Sequence, residues 1–379
     1  MTAQKTLLVN GLSLQNSSGW YVLHGHLESV MNQVKNLRVV LVARPGDYEV
    51  AGRYSGRVTI RHAPHWTRSL IGRIIYESIF LPLALTGIAV DYILQPSGYP
   101  LPFTRVQQLV VAQNPYPFVF KDKGGISSRL RNGLLRFAYL RLPASRAMVF
   151  PNSEHMRSFY SEKRSSALSR KTLYQGAFRG EHTARAGKVV PFSGRKSYFI
   201  AIAEAAPHKR LDLVILAFSQ AAKDLPLFSL QIIGKIGSVE LRRSLETLVR
   251  RLRLEDKVHF CGFITQEELD TKLEESTAYI SYSECESFGI PAVQAQAKGT
   301  PVLVSDGTAA PEICGAGACV VAPGDTITGA AQLVRLATDG EYWSEMSSQA
   351  YTNSLRFDWE ICSSPLVEVI DGSLEKKHE

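Results

Sequence analysis

The segment SECESFGIPAVQAQAKGTPVLVSD, residues 283–306, places a carboxylate beside the predicted start of a short helix. Glu286 precedes a Phe-Gly turn in which Gly289 allows the chain to bend tightly. Pro291 suits the first position of a helix, where a missing N–H has no consequence. A helix N-terminus binds anions, and a carboxylate accepts hydrogen bonds from hydroxyl groups. The segment therefore predicts a site for a phosphate next to a ring that carries hydroxyl groups.

Two more residues point to the same site. Lys209, in PHKRLD, follows the first predicted strand of the second half and begins its first helix. Gln294 projects from the first turn of the helix that Pro291 opens. A glycine-proline turn that caps a core helix and a lysine on the surface would explain each feature taken alone. Their joint placement at corresponding strand ends favours a nucleotide joined to a sugar.

The elements that must position these residues are short apolar strands alternating with longer amphipathic helices. Such alternation predicts parallel sheets covered on both faces. Predicted strands cover residues 5–12, 37–44, 89–98, 106–118 and 146–153, then 197–205, 228–234, 258–264, 278–284 and 301–306. Predicted helices cover residues 23–34, 211–224, 239–252, 266–276 and 291–298. With a polar connector at 179–196, the pattern predicts an α/β protein of two doubly wound, Rossmann-like domains that face each other across a cleft, with ligands in the crevice between them.

Charge is divided unevenly along the chain. Residues 1–180 carry 23 Lys/Arg and 8 Asp/Glu, a net +15, and the rest carry 20 and 27, a net −7, which together give +8. Two windows without acids, 50–76 and 123–153, are rich in arginine, and the second includes Arg129, Arg131 and Arg136. Either window alone fits an amphipathic helix with a solvated basic rim. Two in one domain favour contact with an anionic membrane surface or acceptor. Nucleic acid is disfavoured because no binding motif accompanies the charge.

The N-terminal segment, the longest apolar stretch and the cysteines predict where in the cell the protein acts. The segment MTAQKTLLVNGLSL lacks the pattern of a signal peptide, and the apolar stretch 78–90 is too short to span a bilayer and contains Pro82. The five cysteines show no metal-like pairing, which predicts free thiols in a reducing cytoplasm. Residues of metal-ligand type show no convincing spacing either. We therefore expect a cytoplasmic protein, peripheral on the inner face of the cytoplasmic membrane, that needs no metal or other cofactor.

The region 198–325 resembles the C-terminal domain of the GT-B retaining glycosyltransferases of family 4, the glycosyl transferases group 1. The family pattern has a Lys after the first strand, F-x-G after the third, Glu-x7-Glu around FG-x-P, then G-x-PV, PE and GAG…PGD. The matching positions here are Lys209, Phe260-Cys261-Gly262, Glu286, FGIP at 288–291, GTPV at 299–302, Pro311-Glu312 and GAGACVVAPGD at 315–325. Segment 356–370 resembles the family's last helix, which crosses back onto the N-terminal domain. The resemblance implies an N-terminal domain of residues 1–180 plus 356–379, which faces the acceptor and the membrane, and a nucleotide-sugar domain of residues 181–355.

The resemblance also implies roles for individual residues. Glu286 and Lys209 would be catalytic: Lys209 and the backbone N–H groups of Gly289 and Ile290 would bind the donor diphosphate, and Glu286 the sugar hydroxyls. Gln294 occupies the place of a ribose-binding Glu. The full donor-binding set is Gly19, Lys209, Arg210, Gly262, Phe263, Glu286, Phe288, Gly289, Ile290 and Gln294. Within it, the loop at Gly262 and Phe263 would contact the base, and the loop around Gly19 would approach the phosphates.

Three positions depart from the family pattern. Gln294 replaces the second Glu of the motif, and Glu204 replaces the Arg usually found five residues before the Lys. Gln113 and Asn114, on the acceptor side, stand where a His often follows the N-terminal domain's VV strand. Arg210 lies near the lost cation and could compensate for it.

The implied activity is transfer of a hexosyl group, of mannose or hexose type, from a UDP- or GDP-sugar with retention of configuration. The acceptor would be a glycan or lipid-linked intermediate of bacterial-type surface polysaccharide, such as lipopolysaccharide, O-antigen or exopolysaccharide. Two alternatives stay open: a non-catalytic GT-B-like subunit, which the three departures would fit, and a sugar-nucleotide epimerase of the same fold. A nicotinamide dehydrogenase is disfavoured because no G-x-G-x-x-G follows the first strand of either half.

Overall fold

The structure, a computed structural model, describes residues 4–14, 17–47, 56–85, 87, 89–96, 100–101, 104–120, 129, 132–133, 136, 146–160, 168–178, 189–202 and 206–373. The contacts divide the chain into two units. Unit 1 comprises Met1–Gly176 and Trp359–Glu379, and unit 2 comprises Ala177–Asp358. The chain therefore leaves unit 1 once and returns to it at its C-terminal end.

The sheet of unit 1 has six strands in the order β3-β2-β1-β4-β5-β6, and every neighbouring pair is parallel. Strand β1 runs alongside both β2 and β4, so the direction of the connections reverses between β1 and β4. The strands are β1 Lys5–Asn10, β2 Leu37–Ala43, β3 Val58–His62, β4 Tyr92–Gln95, β5 Gln107–Ala112 and β6 Ala147–Pro151.

Unit 2 repeats this arrangement with six parallel strands in the order β12-β11-β10-β7-β8-β9. The strands are β7 Lys196–Ile202, β8 Ser229–Ile233, β9 Val258–Gly262, β10 Ser276–Ser281, β11 Val302–Ser305 and β12 Ala318–Val321. Counted within their own units, the strands follow one order, the doubly wound one, whose switch point lies between the first and fourth strands. The predicted α/β class with two doubly wound sheets is confirmed.

The central strands form because both of their faces are covered. In β2, LRVVLVA, the last five residues are buried, and in β11, VLVS, all four are. Runs of β-branched and apolar residues without polar alternation are typical of such parallel strands. The edge strands β3 and β12 are absent from the sequence-based prediction. In VTIRH and ACVV buried or half-buried positions alternate with exposed ones, so neither reads as a continuous apolar run.

The helices of the described residues lie between these strands. In unit 1 they are α1 Ser17–Gln33, α2 Leu70–Ile75, α3 Leu81–Leu85, α4 Tyr116–Val119 and α5 Glu154–Ser158, and a π-helical turn, Tyr76–Phe80, joins α2 to α3. In unit 2 they are α6 Leu211–Ala221, α7 Val239–Arg251, α8 Gln266–Glu275, α9 Ile290–Ala297, α10 Ala310–Cys314, α11 Thr326–Thr338 and α12 Gly340–Ser354. The last helix, α13 Trp359–Asp371, belongs to unit 1.

Helix α13 packs on α1 through the ring of Trp359. A Cβ atom added at Gly25 would lie 2.3 Å from this ring, and one added at Gly176 would lie 2.4 Å from it. Both glycines are therefore required by the close approach of the ring, since real Cβ atoms do not come so near. Beside the ring, Nδ1 of His26 lies 2.9 Å from Oγ of Ser363, which joins the two helices by a buried hydrogen bond.

Candidate functional site

Two predicted catalytic residues meet at the switch point of unit 2. Lys209 follows β7 and Glu286 follows β10, the two strands between which the connections reverse. The Lys209 ammonium donates a hydrogen bond to Oε1 of Glu286. The two side chains are 25% and 18% exposed, so solvent and ligands can reach the pair. The structure thus brings together residues that are distant in sequence at the place where doubly wound sheets bind ligands.

Backbone hydrogen bonds hold the two loops in place. The N–H of Glu284 donates to the carbonyl oxygen of His208 at 2.8 Å, which ties the loop after β10 to the turn before α6. The N–H of Ala309 donates to the carbonyl oxygen of Glu286 at 3.2 Å, which ties the same loop to the segment after β11. The positions of Lys209 and Glu286 are therefore set by main-chain contacts with neighbouring strand ends.

Helix α9 begins beside this pair with an uncapped N-terminus. Gly289 precedes the helix with φ +96°, a left-handed conformation that favours glycine, and no side chain caps the helix. No heavy atom lies within 4 Å of a Cβ added at Gly289. In the part of the chain that the structure describes, the N–H groups of Gly289 and Ile290 donate to no protein acceptor. These N–H groups and the helix dipole together suit an anion.

Arg210 is engaged in contacts of its own. Its Nε and Nη2 donate to the Asp212 carboxylate at 3.0 and 2.9 Å, and its Nη1 donates to Oε1 of Glu284. The hydrogen bonds to Asp212, and then those to Glu284, raise the pKa of Arg210 above its usual value. Arg210 is thus a fixed cation next to Lys209, and its binding to a donor stays a prediction. Glu284 and Asp212 were missed from the sequence, although Glu284 stands only two residues before Glu286 in SECESFG.

Two further titratable groups at the site, His208 and Cys285, are neutral at pH 7. Burial lowers the pKa of His208, and the adjacent Lys209 ammonium lowers it further. Burial raises the pKa of Cys285 to about 12, and the nearby Glu286 carboxylate also raises it. A thiol that keeps its proton is a poor nucleophile. His208 and Cys285 therefore add no charge beside Lys209 and Glu286 at this pH.

The remaining donor-binding residues differ in what they can offer a ligand. Phe288 is buried against Phe357, with ring centroids 5.3 Å apart, so its ring is not accessible to a ligand. Gln294 is half-buried, and its side chain forms no hydrogen bond with any residue that the structure describes. Gly262 ends β9 with φ +69°, and the Phe263 ring after it is 85% exposed. The exposed ring is suitable for stacking on a nucleobase.

In unit 1 the predicted residues are spread over several elements. Gly19 lies near the start of α1. Gln113 follows β5; its Nε2 donates to the carbonyl oxygen of Pro96 at 2.6 Å, and its Oε1 accepts from Gln175 at 2.9 Å. Oδ1 of Asn114 accepts from the N–H of Tyr116 at 3.1 Å, at the start of α4. Arg129 and Arg136 are exposed, whereas Arg131 and Glu204 lie outside the described residues.

The switch point of unit 1 has a different character. Asn10 ends β1 and Gln95 ends β4, and Nδ2 of Asn10 donates to Oε1 of Gln95 at 3.0 Å. The same Nδ2 donates to Oε1 of Glu77 at 2.9 Å. Asn10 and Gln95 are fully buried, and Glu77 is 3% exposed. The sequence-based interpretation missed this cluster because the three residues are isolated polar positions in apolar surroundings.

Clusters of metal-ligating side chains and membrane-spanning helices are both absent from the described residues. Within the described ranges, no group of three or more His, Cys, Asp or Glu side chains is placed to hold a metal ion. Of the helices in those ranges, none has both the length and the apolar character needed to cross a membrane. The five cysteines are free thiols.

Comparison with known proteins gives a family match for part of unit 2 and a fold match for nearly the whole chain. Residues 185–353, which lie within unit 2, match the family model of glycosyl transferases group 1. Solved structures match over nearly the whole chain. Anabaena HepE in complex with UDP-glucose aligns with a TM-score of 0.73 at 16% identity, covering 97% of this chain and 99% of that one. WaaG, a glycosyltransferase involved in lipopolysaccharide biosynthesis, aligns with a TM-score of 0.70 at 13% identity, covering 97% and 100%. The chain has the GT-B fold.

Curated relatives match shorter segments. O-antigen chain mannosyltransferase RfbU of Salmonella typhimurium is 33% identical over 131 residues, which is 35% of this chain and 36% of that protein. O-antigen chain mannosyltransferase B of Escherichia coli is 25% identical over 120 residues, 32% of each chain. The alignments thus span about a third of these relatives' own length. The GT-B fold extends over the whole chain, whereas the sequence similarity to these two relatives is restricted to a part of it.

Proposed function

We propose that this protein is a glycosyltransferase that moves a hexosyl group from a UDP- or GDP-sugar onto a glycan or lipid-linked acceptor during synthesis of bacterial surface polysaccharide. The observation that carries the proposal is the partly exposed Lys209–Glu286 pair beside the uncapped N-terminus of α9. This combination offers positive charge for a diphosphate and a carboxylate for sugar hydroxyls at one switch point. The match of residues 185–353 to glycosyl transferases group 1 supports it.

The chemistry follows from the charges. Transfer breaks the bond between the anomeric carbon and the leaving diphosphate oxygen and forms one to the acceptor oxygen, whose proton is released. Negative charge grows on the diphosphate as the first bond breaks, and preorganised donors lower the barrier most where charge develops. The Lys209 ammonium has three N–H donors, one of which bonds to Glu286. The other two, with the N–H groups of Gly289 and Ile290, would hold the diphosphate.

Glu286 would act on the sugar. Its Oε1 accepts from Lys209, while its Oε2 accepts from no residue that the structure describes. A carboxylate oxygen held in this way can accept from a sugar hydroxyl without moving. Because Lys209 fixes the carboxylate, the contact would be oriented before the donor binds, which is the arrangement that favours the transition state over free substrate.

The finer parts of the proposal rest on resemblance. The names of the two O-antigen relatives favour mannose as the sugar and a surface polysaccharide as the product. Membership of family 4 would make the reaction one of retained configuration that needs no metal. The proposed location is the inner face of the cytoplasmic membrane, where lipid-linked acceptors are available.

The test is a donor screen followed by a transfer assay. A nucleotide that binds the native state raises the melting temperature by mass action, so thermal shift with GDP, UDP, GDP-mannose and UDP-glucose selects the donor. The selected donor, labelled in its sugar, is then incubated with a lipid-linked acceptor in the presence and absence of EDTA. We expect labelled lipid under both conditions. The one-bond C1–H1 coupling constant of the transferred sugar should indicate the same anomeric configuration as in the donor.

Three outcomes would contradict the proposal. Nucleotide binding without transfer to any of several lipid-linked acceptors would indicate a non-catalytic subunit. Conversion of the donor sugar without acceptor would indicate an epimerase. No shift with any nucleotide would mean that the Lys209–Glu286 pair does not form a donor site at all.

A further inference from the structure

The helical segment from Leu70 to Leu85 in unit 1 has reversed amphipathicity. Its charged residues Arg73 and Glu77 are buried, at 8% and 3% exposure. Its exposed side includes Leu70, Ile71, Ile74, Ile75, Ile79 and Leu83. A surface helix of a water-soluble protein normally shows the opposite arrangement, with its apolar side on the core. We call the exposed side of this segment the apolar face.

The inward side fixes the orientation of the helix. Oε1 of Glu77 accepts from Nδ2 of Asn10 at 2.9 Å, and Nε of Arg73 lies 3.6 Å from Oε2 of Glu77. One turn further on, Leu81 is buried in a cluster with Leu8 and Ile93. Rotating the helix to bury its isoleucines would break these contacts and expose the Asn10 amide. The apolar face therefore points outward because the buried contacts of Glu77 with Asn10 and Arg73 fix the rotation of the helix about its axis.

The apolar face is continuous. Ile71, Ile75, Ile79 and Leu83 follow one another at four-residue intervals, so their side chains form a single stripe. Trp66 extends it, with its ring centroid 5.8 Å from that of Tyr76 and 5.7 Å from that of Phe80. Patches of this kind on soluble proteins mark interaction sites, whereas scattered exposed apolar residues do not.

The charges around the apolar face identify the partner. Arg61 and Arg68 are exposed in the segment that leads to the helix. Glu77 is the one acid in residues 56–85, and it is buried. A second copy of the chain at this face would bring the arginines of both copies together, whereas an anionic bilayer attracts them.

We propose that the apolar face enters the boundary between headgroups and acyl chains of an anionic membrane, with Arg61 and Arg68 among the headgroups. Amphipathic surfaces of this composition bind membranes through apolar burial and attraction to anionic lipid. The inference extends the proposed membrane location by naming the surface responsible. Vesicle binding is measured without donor or acceptor, so its failure and a failure of sugar transfer are distinguishable.

Trp66 supplies a direct signal. Of the four tryptophans it is the exposed one, at 44%, whereas Trp20, Trp343 and Trp359 are at most 5% exposed. Vesicles of phosphatidylcholine with phosphatidylglycerol brominated on its acyl chains should quench its fluorescence. Vesicles of phosphatidylcholine alone, brominated on its acyl chains to the same bromine content, should quench it far less. Trp66→Phe should remove the quenched component while vesicle co-sedimentation persists.

The decisive variant replaces two exposed residues of the stripe. Ile71→Glu with Ile79→Glu should lower co-sedimentation with the anionic vesicles at least about tenfold, because apolar burial is lost and negative charge is added. Leu227→Glu with Ile327→Glu is the matched control, since these residues of unit 2 are also well exposed and should leave binding unchanged. Circular dichroism and the melting temperature verify that each variant is folded.

Two results would overturn the inference. If the parent is a dimer in sedimentation that Ile71→Glu with Ile79→Glu dissociates, and it binds no vesicles, the apolar face is an interface between copies. If vesicle binding survives this variant but is lost on Arg129→Glu with Arg136→Glu, the membrane surface lies at those arginines instead.

Discussion

At its switch point unit 2 carries a partly exposed ion pair, whereas unit 1 carries two buried amides at the corresponding positions. Lys209 and Glu286 follow the first and fourth strands of their sheet, and Asn10 and Gln95 end the first and fourth strands of theirs. Strand order and direction are the same in both sheets. Topology therefore determines where a ligand site can lie. The charge and exposure of two residues at the switch point decide whether that position can bind a ligand.

The same contrast extends to the surroundings of each pair. In unit 2 the neighbouring Gly289 leaves open space and uncapped N–H groups beside the ion pair. In unit 1 the side chain of Glu77 comes in from the α2–α3 segment and closes the cluster. In unit 1 the switch point thus anchors a helix. The residues of unit 1 proposed to bind a partner, those of the apolar face and the neighbouring arginines, lie on its surface.

The largest expected effect is on catalysis in unit 2. Glu286→Ala should lower kcat on the order of 100-fold with little change in KM, because the sugar contact strengthens as the anomeric bond breaks. Steady-state transfer with the donor selected by thermal shift measures both constants. Glu255→Ala, a matched loss of an exposed carboxylate in the same unit, should leave both unchanged. A rise in KM with unaltered kcat would show that Glu286 binds the ground state only.

The next effect concerns the diphosphate. Lys209→Ala should weaken nucleoside diphosphate binding about ten- to a hundred-fold, the value of one charge-assisted contact, and leave nucleoside binding almost unchanged. Calorimetric titration with both ligands checks this. Lys223→Ala, which removes an exposed lysine beyond the far end of α6, is the control. If Lys209→Ala weakens the binding of nucleoside diphosphate and of nucleoside equally, this lysine has only a structural role. Asn10→Ala should destabilise unit 1 without changing the affinity for either ligand.

Acid should affect unit 1 through a buried histidine. Burial lowers the pKa of His26 from 6.5 to about 3. Below pH 6.5 the His26 imidazole is therefore protonated in the unfolded chain but stays neutral in the folded state. The free energy of unfolding consequently decreases as the pH falls towards 3. At pH 5 the loss from this group is about 2 kcal/mol, and at pH 7 it is close to zero.

Urea unfolding at pH 7 and pH 5, followed by tryptophan fluorescence, measures this loss, since three of the four tryptophans lie in unit 1. His26→Gln cannot take up the proton, so its stability should depend less on pH, even if its stability at pH 7 is lower. An identical pH dependence in parent and variant would show that His26 is not responsible.

The smallest effect tests the departure at Gln294. A glutamine amide can accept from one ribose hydroxyl and donate to the other, so Gln294→Ala should raise the donor KM several-fold, for the loss of about 1 kcal/mol of hydrogen bonding. Gln294→Glu should change donor use only modestly. Sugar transfer by the parent and both variants is the measurement. An inert parent with an active Gln294→Glu variant would identify the chain as a decayed relative and refute the proposed activity.

Much of the fold could be read from the sequence because buried strands leave a continuous apolar signal. The central strands of both sheets were predicted from such runs. Two of the four edge strands, β3 and β12, were not, because exposed residues interrupt their apolar runs, whereas the edge strands β6 and β9 were predicted. Residues 50–76 were noted for their arginines, but the inverted α2–α3 segment could not be recognised. Its orientation depends on Asn10, which is 67 residues away from Glu77.

For the candidate site, the sequence indicated which residue types stand at strand ends but not what surrounds them. Lys209 and Glu286 were predicted to share a site, and they are hydrogen-bonded to each other in the structure. The engagement of Arg210 by Glu284, 74 residues further along, has no local signal. The burial of the Phe288 ring against Phe357 likewise depends on packing. Contacts of this kind are decided by the tertiary fold.

The position of α13 at the end of the sequence affects the order in which the two units can be completed during synthesis. Unit 2 is one continuous stretch of chain, whereas unit 1 needs its final helix to cover α1 and to surround Trp359 with Gly25 and Gly176. Residues 177–358 are all synthesised before residue 359, so the whole of unit 2 has been made before unit 1 receives its last helix. The nascent N-terminal part must wait with the α13-binding side of α1 uncovered. Loss of the last helix by premature termination would therefore harm the unit that is made first.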